Sequence, residues 1–225
     1  MSGLVVVSPH LDDGVFGCAD LIRAHPGATV VTVFAGGPAV WGEPTDWDAA
    51  SGFTAGEDAV ARRREEDRRA LAELEAHPVW LPFWDSQYGA SPGADEIGAA
   101  LGEVLAELAP DTVAIPLGLW HSDHRLTHEA AAPLISRHPR FEWLAYEDAI
   151  YRRFPESGLA ERPGWLRDRG IAAIPLPTGI PASDAKQRSI ACYSSQLRAL
   201  ASGPGWEDAL EPERHWALSA LDPPR

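Results

Sequence analysis

Cysteine, methionine and lysine are scarce in these 225 residues, at two, one and one. Cys18 and Cys192 lie far apart, which excludes a disulfide framework and a four-cysteine zinc site and points to a reducing cytoplasm. Basic charge is short as well. Nineteen basic residues face 33 acidic ones, for a formal net charge of −14. A surface that acidic repels phosphate backbones and anionic membranes, so neither nucleic acid nor a membrane is expected as a partner. No apolar run approaches the ~20 residues of a spanning helix, and Leu4–Ser8 is too short for a signal-peptide core. No internal repeat points to a solenoid or propeller. The expectation is one cytoplasmic domain over residues 1–225.

What is present is an alternation of β-branched runs and helical patterns. Leu4–Ser8 reads as a buried strand, Gly14–His25 as a helix and Ala28–Phe34 as a second strand. Gly36–Gly56 has no periodicity but holds Trp41, Trp47 and Phe53, which suggests a long loop over a site, at about residues 36–57. Asp58–Ala76, Ala94–Leu108, His124–Arg137 and Ser183–Leu200 read as further helices. Val79–Leu81, Thr112–Pro116, Phe141–Ala145 and an edge at Ile171–Leu176 read as further strands. This order predicts an α/β, Rossmann-like three-layer fold, its mostly parallel sheet flanked by helices. Ligands of such sheets sit at the carboxyl ends of the strands.

Two clusters fall at such ends. The first strand runs into His10-Leu11-Asp12-Asp13, and the fourth leads to His121-Ser122-Asp123-His124. Catalytic zinc takes three nitrogen or oxygen ligands and leaves a place for water, and a His/Asp pair with a His from a second loop meets that need. A carboxylate left out of the coordination is then free to take a proton. An Asp pair before a helix also fits a simple N-cap. Spacing alone does not choose among His121, His124 and His128.

Pro9-His10-Leu11-Asp12-Asp13 resembles the Pro-His-x-Asp-Asp motif of the PIG-L/LmbE-like zinc-dependent N-acetylglucosaminyl deacetylases. His121-Ser122-Asp123-His124 is similar to that family's second motif. Arg63-Arg64-Glu65-Glu66 and Lys186–Gln196 agree with it further along the chain. The resemblance implies a hydrolase that removes an acetyl or other acyl group from an N-acylated amino sugar or similar small molecule. It implies Zn²⁺ on His10, Asp13 and His124, with another divalent transition metal as an alternative occupant. It makes Asp12 the general base, His121 the group that stabilises the oxyanion or protonates the leaving amine, and Asp123 an orienting residue. Arg63 and Asp85 would contact the sugar, and His128 would have no role, as a solvated or capping residue.

Gly14 and Ala19-Asp20 depart from the family pattern and bear on substrate choice rather than hydrolysis; Asp20 is expected to face solvent. Trp41 and Trp47 in the long loop are candidates to stack on substrate, as are Trp84 and Trp120, while Trp80 and Trp143 read as core. The charged run Arg62–Arg69 reads as a solvated helix face. The Trp-rich loops leave a homo-oligomer open. A non-catalytic metal- or sugar-binding module on the same fold is the alternative, though it would have no use for Asp12 and His121. A nucleotide-dependent oxidoreductase would need a Gly-x-Gly-x-x-Gly turn after Val7, which is missing.

Overall fold

Leu4–Ser8 (β1) is buried along its whole length, as a central strand covered on both faces must be. A computed structural model describes residues 3–89, 92–178, 182–201 and 206–221. The other strands are Thr29–Thr32 (β2), His77–Trp80 (β3), Thr112–Pro116 (β4), Glu142–Tyr146 (β5), Ile171–Pro175 (β6) and His215–Ala220 (β7). They form one sheet in the order β3-β2-β1-β4-β5-β7-β6. The first five run parallel, and β7 lies antiparallel to both β5 and β6.

Side chains of β1 alternate between two cores. Val5 and Val7 pack with helices Ala94–Leu108 (α4) and Ser122–Arg137 (α5), through Ile97, Leu101, Leu105 and Leu134. Leu4 and Val6 pack on the other face with Asp13–Arg23 (α1) and Ala59–Glu73 (α3), through Val15, Ile22, Leu71 and Leu74. Burial of these apolar faces is the main force joining the three layers.

Several expectations need correction. The long loop contains a short helix, Asp46–Ser51 (α2), capped by the Thr45 side chain and closed by Gly52 at φ 93°. The last helix is two, Asp184–Ala191 (α7) and Ser194–Leu200 (α8), broken where the Tyr193 hydroxyl donates to Asp67 Oδ1 at 2.8 Å. Arg162–Arg167 (α6) and β7 were not expected at all. Arg62–Arg69 is not simply a solvated face, since Arg63, Glu66 and Asp67 are buried. Asp20 does not merely face solvent: it accepts a hydrogen bond of 2.5 Å from Ser183 Oγ at the start of α7. Gly14 sits against Ser8 and Val30, where a Cβ would meet their side chains at 3.1–3.2 Å, so its place is one of packing. Among the described residues no helix is long and apolar enough to cross a membrane.

The chain leaves β1 to build β2 and β3 on one side, then crosses to β4 and β5 on the other. The carboxyl ends of β1 and β4 therefore flank the point where the order reverses, which opens a crevice.

Candidate metal centre and active site

Asp12 holds the N-cap position of α1, yet its side chain caps nothing. The simple capping explanation of the Asp pair thus fails, and this carboxylate lines the cavity instead. Its neighbour is fully engaged. Asp13 Oδ2 accepts from the His10 backbone N–H at 2.9 Å and lies 3.1 Å from both His10 Nδ1 and His124 Nε2. The clusters after β1 and β4 are brought together as the topology requires.

His10, Asp13 and His124 each offer a ligand atom within 4.8 Å of the others; His10, His121 and Asp123 form a second such group. The environment separates the two. His124 Nδ1 lies 2.5 Å from Asp148 Oδ1 and donates its proton there, which turns Nε2 toward Asp13 Oδ2 at 3.1 Å. His124 Nε2 is buried and makes no hydrogen bond of proper geometry. A ring nitrogen that close to a carboxylate oxygen calls for a positive charge between them, either a proton or a metal ion. His121 instead uses Nδ1 to accept the Asp123 backbone N–H at 3.2 Å, capping α5, and that nitrogen is not free.

Charge balance supports the same choice. Asp12, Asp13, Asp85, Asp123 and Asp148 are all buried here, with Arg63 their buried guanidinium neighbour. Burial opposes charge on His124, but Asp13 and Asp148 outweigh it and raise its pKa to about 9. His10 is raised well above 6.5 against its own burial, by Asp85, Asp123 and Asp13. Burial would raise Asp13, yet His124 and His10 hold it well below the usual carboxylate range. Protons on two histidines thus supply the positive charge the carboxylates demand. A divalent ion would supply it equally, displacing those protons. The donor set fits a metal.

Two groups are tuned in other directions. Burial and then the Asp13 charge push Asp12 up to about 7. Burial and then the charges of His10 and His124 lower His121 to about 4, so it is neutral, with Nδ1 as acceptor and Nε2–H as donor.

Asp123 Oδ2 lies 3.1 Å from His10 Nε2 and accepts the Ser86 N–H at the same distance. Asp85 Oδ2 is 3.7 Å from His10 Nε2 and 3.9 Å from Arg63 Nη1. Arg63 Nε is buried without a partner. The cavity, about 370 Å³, is lined by His10, Asp12, Asp13, Arg63, Asp85 and His121 together with aromatic and aliphatic groups, of which Tyr151 packs directly on His121 and His124. Trp47 lines it, tied through Nε1–H to Gln196 Oε1 at 3.1 Å. Trp41 is not among the lining residues; it packs edge-on against Tyr88, 5.5 Å between ring centres. His128 lies outside the lining but is fully buried, against the expectation of a solvated residue, and donates from Nδ1 to Pro116 O at 2.8 Å. Trp143 is core, while half-buried Trp80 donates to Asp67 and lies under Arg64 and Arg68.

Sequence reasoning missed Asp148. It follows β5, and its Oδ2 accepts the N–H groups of Gly118 and Leu119, each at 2.9 Å. The signal was available: an acid at the carboxyl end of the strand next to β4.

Residues 5–135, more than half of the chain, match the model of the PIG-L family, described as GlcNAc-PI de-N-acetylase. The chain belongs to this family. It is thereby a metal-dependent deacetylase acting on an acylated amino sugar. No curated protein matched. Among solved structures, the chain is similar to the A40926 pseudoaglycone deacetylase Dbv21, at 25% identity and TM-score 0.74 over 98% of both chains. It is similar in fold to a zinc-inhibited form of the teicoplanin deacetylase Orf2, at 23% identity and TM-score 0.78 over 99% of this chain and 100% of that one. A more distant likeness is GalB, the 4-carboxy-2-hydroxymuconate hydratase of Pseudomonas putida KT2440. It has 17% identity and TM-score 0.55 over 100% of this chain and 98% of that one. A hydratase on a similar frame shows why the site, not the fold, must carry the chemistry.

Proposed function

We propose that this PIG-L family member removes the acyl group of a small N-acylated amino sugar by hydrolysis, with Zn²⁺ held by His10, Asp13 and His124. The observation that carries this reading is the Asp12 carboxylate, which caps nothing and lines the cavity beside the His10–Asp13–His124 group, where a binding module would have no use for it. When bound, the ion supplies Lewis acidity, favouring deprotonation of water and polarising the amide carbonyl.

The chain's own residues supply the rest. Asp12, which caps nothing and lines the cavity beside the proposed ligands, is suited to take the proton of the attacking water and return it to the nitrogen as the C–N bond breaks. His121, neutral and with Nε2–H as donor, is suited to stabilise the negative carbonyl oxygen as it forms. The products are a carboxylate and an amine. Asp123 orients His10, and Asp85 and Arg63, both in the cavity lining, are suited to bind the sugar hydroxyls. Of the two loop tryptophans only Trp47 is kept as a substrate contact, because Trp41 lies outside the cavity lining. Free thiols at Cys18 and Cys192 support a reducing cytoplasm as the working compartment. The test is metal stoichiometry together with acetate release from N-acetylglucosamine derivatives. A protein with no metal and no acetate release under zinc supplementation would overturn the reading.

A further inference from the structure

Trp120 stands beside His121 with a left-handed backbone, at φ 57°, and 43% of its surface exposed. A bulky residue rarely adopts that backbone, and so exposed a ring gains little from burial. Its contacts show what the strained backbone achieves. The Trp120 N–H donates to Ser157 O at 2.9 Å, and the indole stacks on Tyr151, 5.0 Å between centres and 24° between planes. Phe154 meets both rings edge-on, 5.5 Å from Trp120 and 5.8 Å from Tyr151. The backbone of Tyr151 is fixed as well. Its N–H donates to Asp148 O at 3.0 Å, and the next side chain, buried Arg152, donates to the Asp208 carboxylate and, at 3.0 Å, to Asp208 O.

This stack of rings ends on the two histidines of the second motif. The Tyr151 ring lies 24° from the plane of His121, 6.2 Å between centres, and meets His124 edge-on at 5.0 Å. The two histidines are anchored very differently. His124 is fully buried and fixed by the Asp148 carboxylate. His121 borders the cavity, and among the described residues its side chain makes one hydrogen bond, from the Asp123 N–H to Nδ1 at 3.2 Å. One bond at one ring atom leaves the imidazole free to pivot about it, and a flat neighbour lying parallel to the ring removes that freedom. Resting on the deacetylase reading, we infer that Tyr151 is a positioning residue: its ring, backed by Trp120 and Phe154, holds His121 in the orientation that presents Nε2–H to the cavity. The flat ring does this, not the hydroxyl.

The test combines three readouts on zinc-supplemented protein: acetate release from the methyl β-glycoside of N-acetylglucosamine, metal affinity by chelator competition, and the His121 ring in crystal structures. Tyr151→Phe keeps the flat ring, and its kcat should stay within about threefold of the unmodified enzyme. Tyr151→Leu keeps bulk but loses the ring. Its kcat should fall about 10–100-fold with KM changed less than about threefold, the cost of a group slightly misplaced at the reacting centre. Metal affinity should hold, because Asp148 still fixes His124. His121→Ala should itself cost ~10²–10³ in kcat, and adding Tyr151→Leu to it should cost less than about threefold more. A general packing defect would instead add in full. Trp120→Gly places glycine where a positive φ suits it and withdraws the backing from Tyr151; it should lower kcat by about threefold or more, again only while His121 is present. This variant carries the same cycle if Tyr151→Leu does not fold. In the Tyr151→Leu or Trp120→Gly crystal the His121 ring should leave its present plane. An unmoved ring, a loss that adds in full to His121→Ala, or a Tyr151→Phe variant as impaired as Tyr151→Leu would each overturn the inference. A displaced ring with no acetate released even by the unmodified enzyme would instead overturn the deacetylase reading and leave the positioning of His121 standing.

Discussion

Asp148 holds His124 from behind, its Oδ1 2.5 Å from His124 Nδ1, while its Oδ2 gathers the N–H groups of Gly118 and Leu119. One carboxylate thus fixes the tautomer of a proposed ligand and the turn that delivers His121. Asp148→Asn keeps the size but loses the charge that makes His124 a strong donor. Metal affinity should fall by about 10–100-fold, the usual effect of removing such an outer partner. A chelator-competition titration checks it, and affinity equal to that of the unmodified protein would show that Asp148 is only a structural bond.

The two adjacent aspartates should separate by phenotype. Asp12→Asn should retain the metal, because its side chain is not part of the His10–Asp13–His124 group, yet lose activity by ~10²–10⁴, the worth of a positioned general base. Asp13→Ala removes a carboxylate engaged by both histidines, so it should lose metal, with part of its activity recovered by excess zinc. Metal stoichiometry and turnover for each variant, with and without added zinc, decide the matter. Metal lost from Asp12→Asn but kept by Asp13→Ala would reverse the two roles.

Much of this site was legible because its chemistry is local. His10, Asp12 and Asp13 share one turn, and His121, Asp123 and His124 another, each at the end of a strand marked by a run of apolar residues. The same holds for β1, α4 and β4, whose observed ends coincide with the pattern in the sequence. What was not legible depends on distant partners. Asp148 has no spacing relation to His124; only the adjacency of β4 and β5 joins them. The strand β7 buries one residue of six, Leu218, so its apolar pattern is weak and its place comes from antiparallel pairing with β5. The break at Tyr193 reflects a hydrogen bond to Asp67 on another helix, a tertiary contact that overrides local helical preference. Helix α2 was the exception: Thr45 and Gly52 are ordinary cap signals, obscured by the glycines around them.

Glu66 ties the two weaker motifs together. It accepts from Ser194 Oγ at 2.7 Å, Ser195 N at 2.9 Å and Ser195 Oγ at 2.5 Å, so a residue of α3 caps the start of α8. Helix α8 in turn carries Gln196 and Leu200 to the cavity. Glu66→Ala leaves buried donors unpaired and should destabilise the protein by about 1–3 kcal/mol. With α8 loosened, KM should rise more than kcat falls. Urea unfolding and steady-state kinetics measure both; unchanged stability would mean that water replaces the carboxylate at no cost.

His128 offers a test of the buried core beneath the site. Burial and then the nearby Arg162 lower its pKa to about 3, and its ring is enclosed by Trp165 and the Pro116 carbonyl. In the unfolded chain an imidazole binds a proton near pH 6.5. Between those values the unfolded chain takes up a proton that the folded one refuses. The stability associated with a neutral, buried His128 is therefore fully present above pH 6.5. It is lost as pH falls toward 3, by about 1 kcal/mol per pH unit. Other histidines with lowered values, such as His215 at about 4, add slopes of the same sign, so the contribution must be isolated by difference. His128→Gln keeps a donor for the Pro116 carbonyl but cannot titrate. It should be less stable than the unmodified protein at pH 7, because the fit around the ring is lost. The gap should then narrow by roughly 2 kcal/mol on going to pH 5. Urea unfolding of both proteins at pH 7, 6 and 5 supplies the numbers. A gap that stays constant over that range would show that His128 takes up its proton without unfolding, and that the space around Nε2 admits charge.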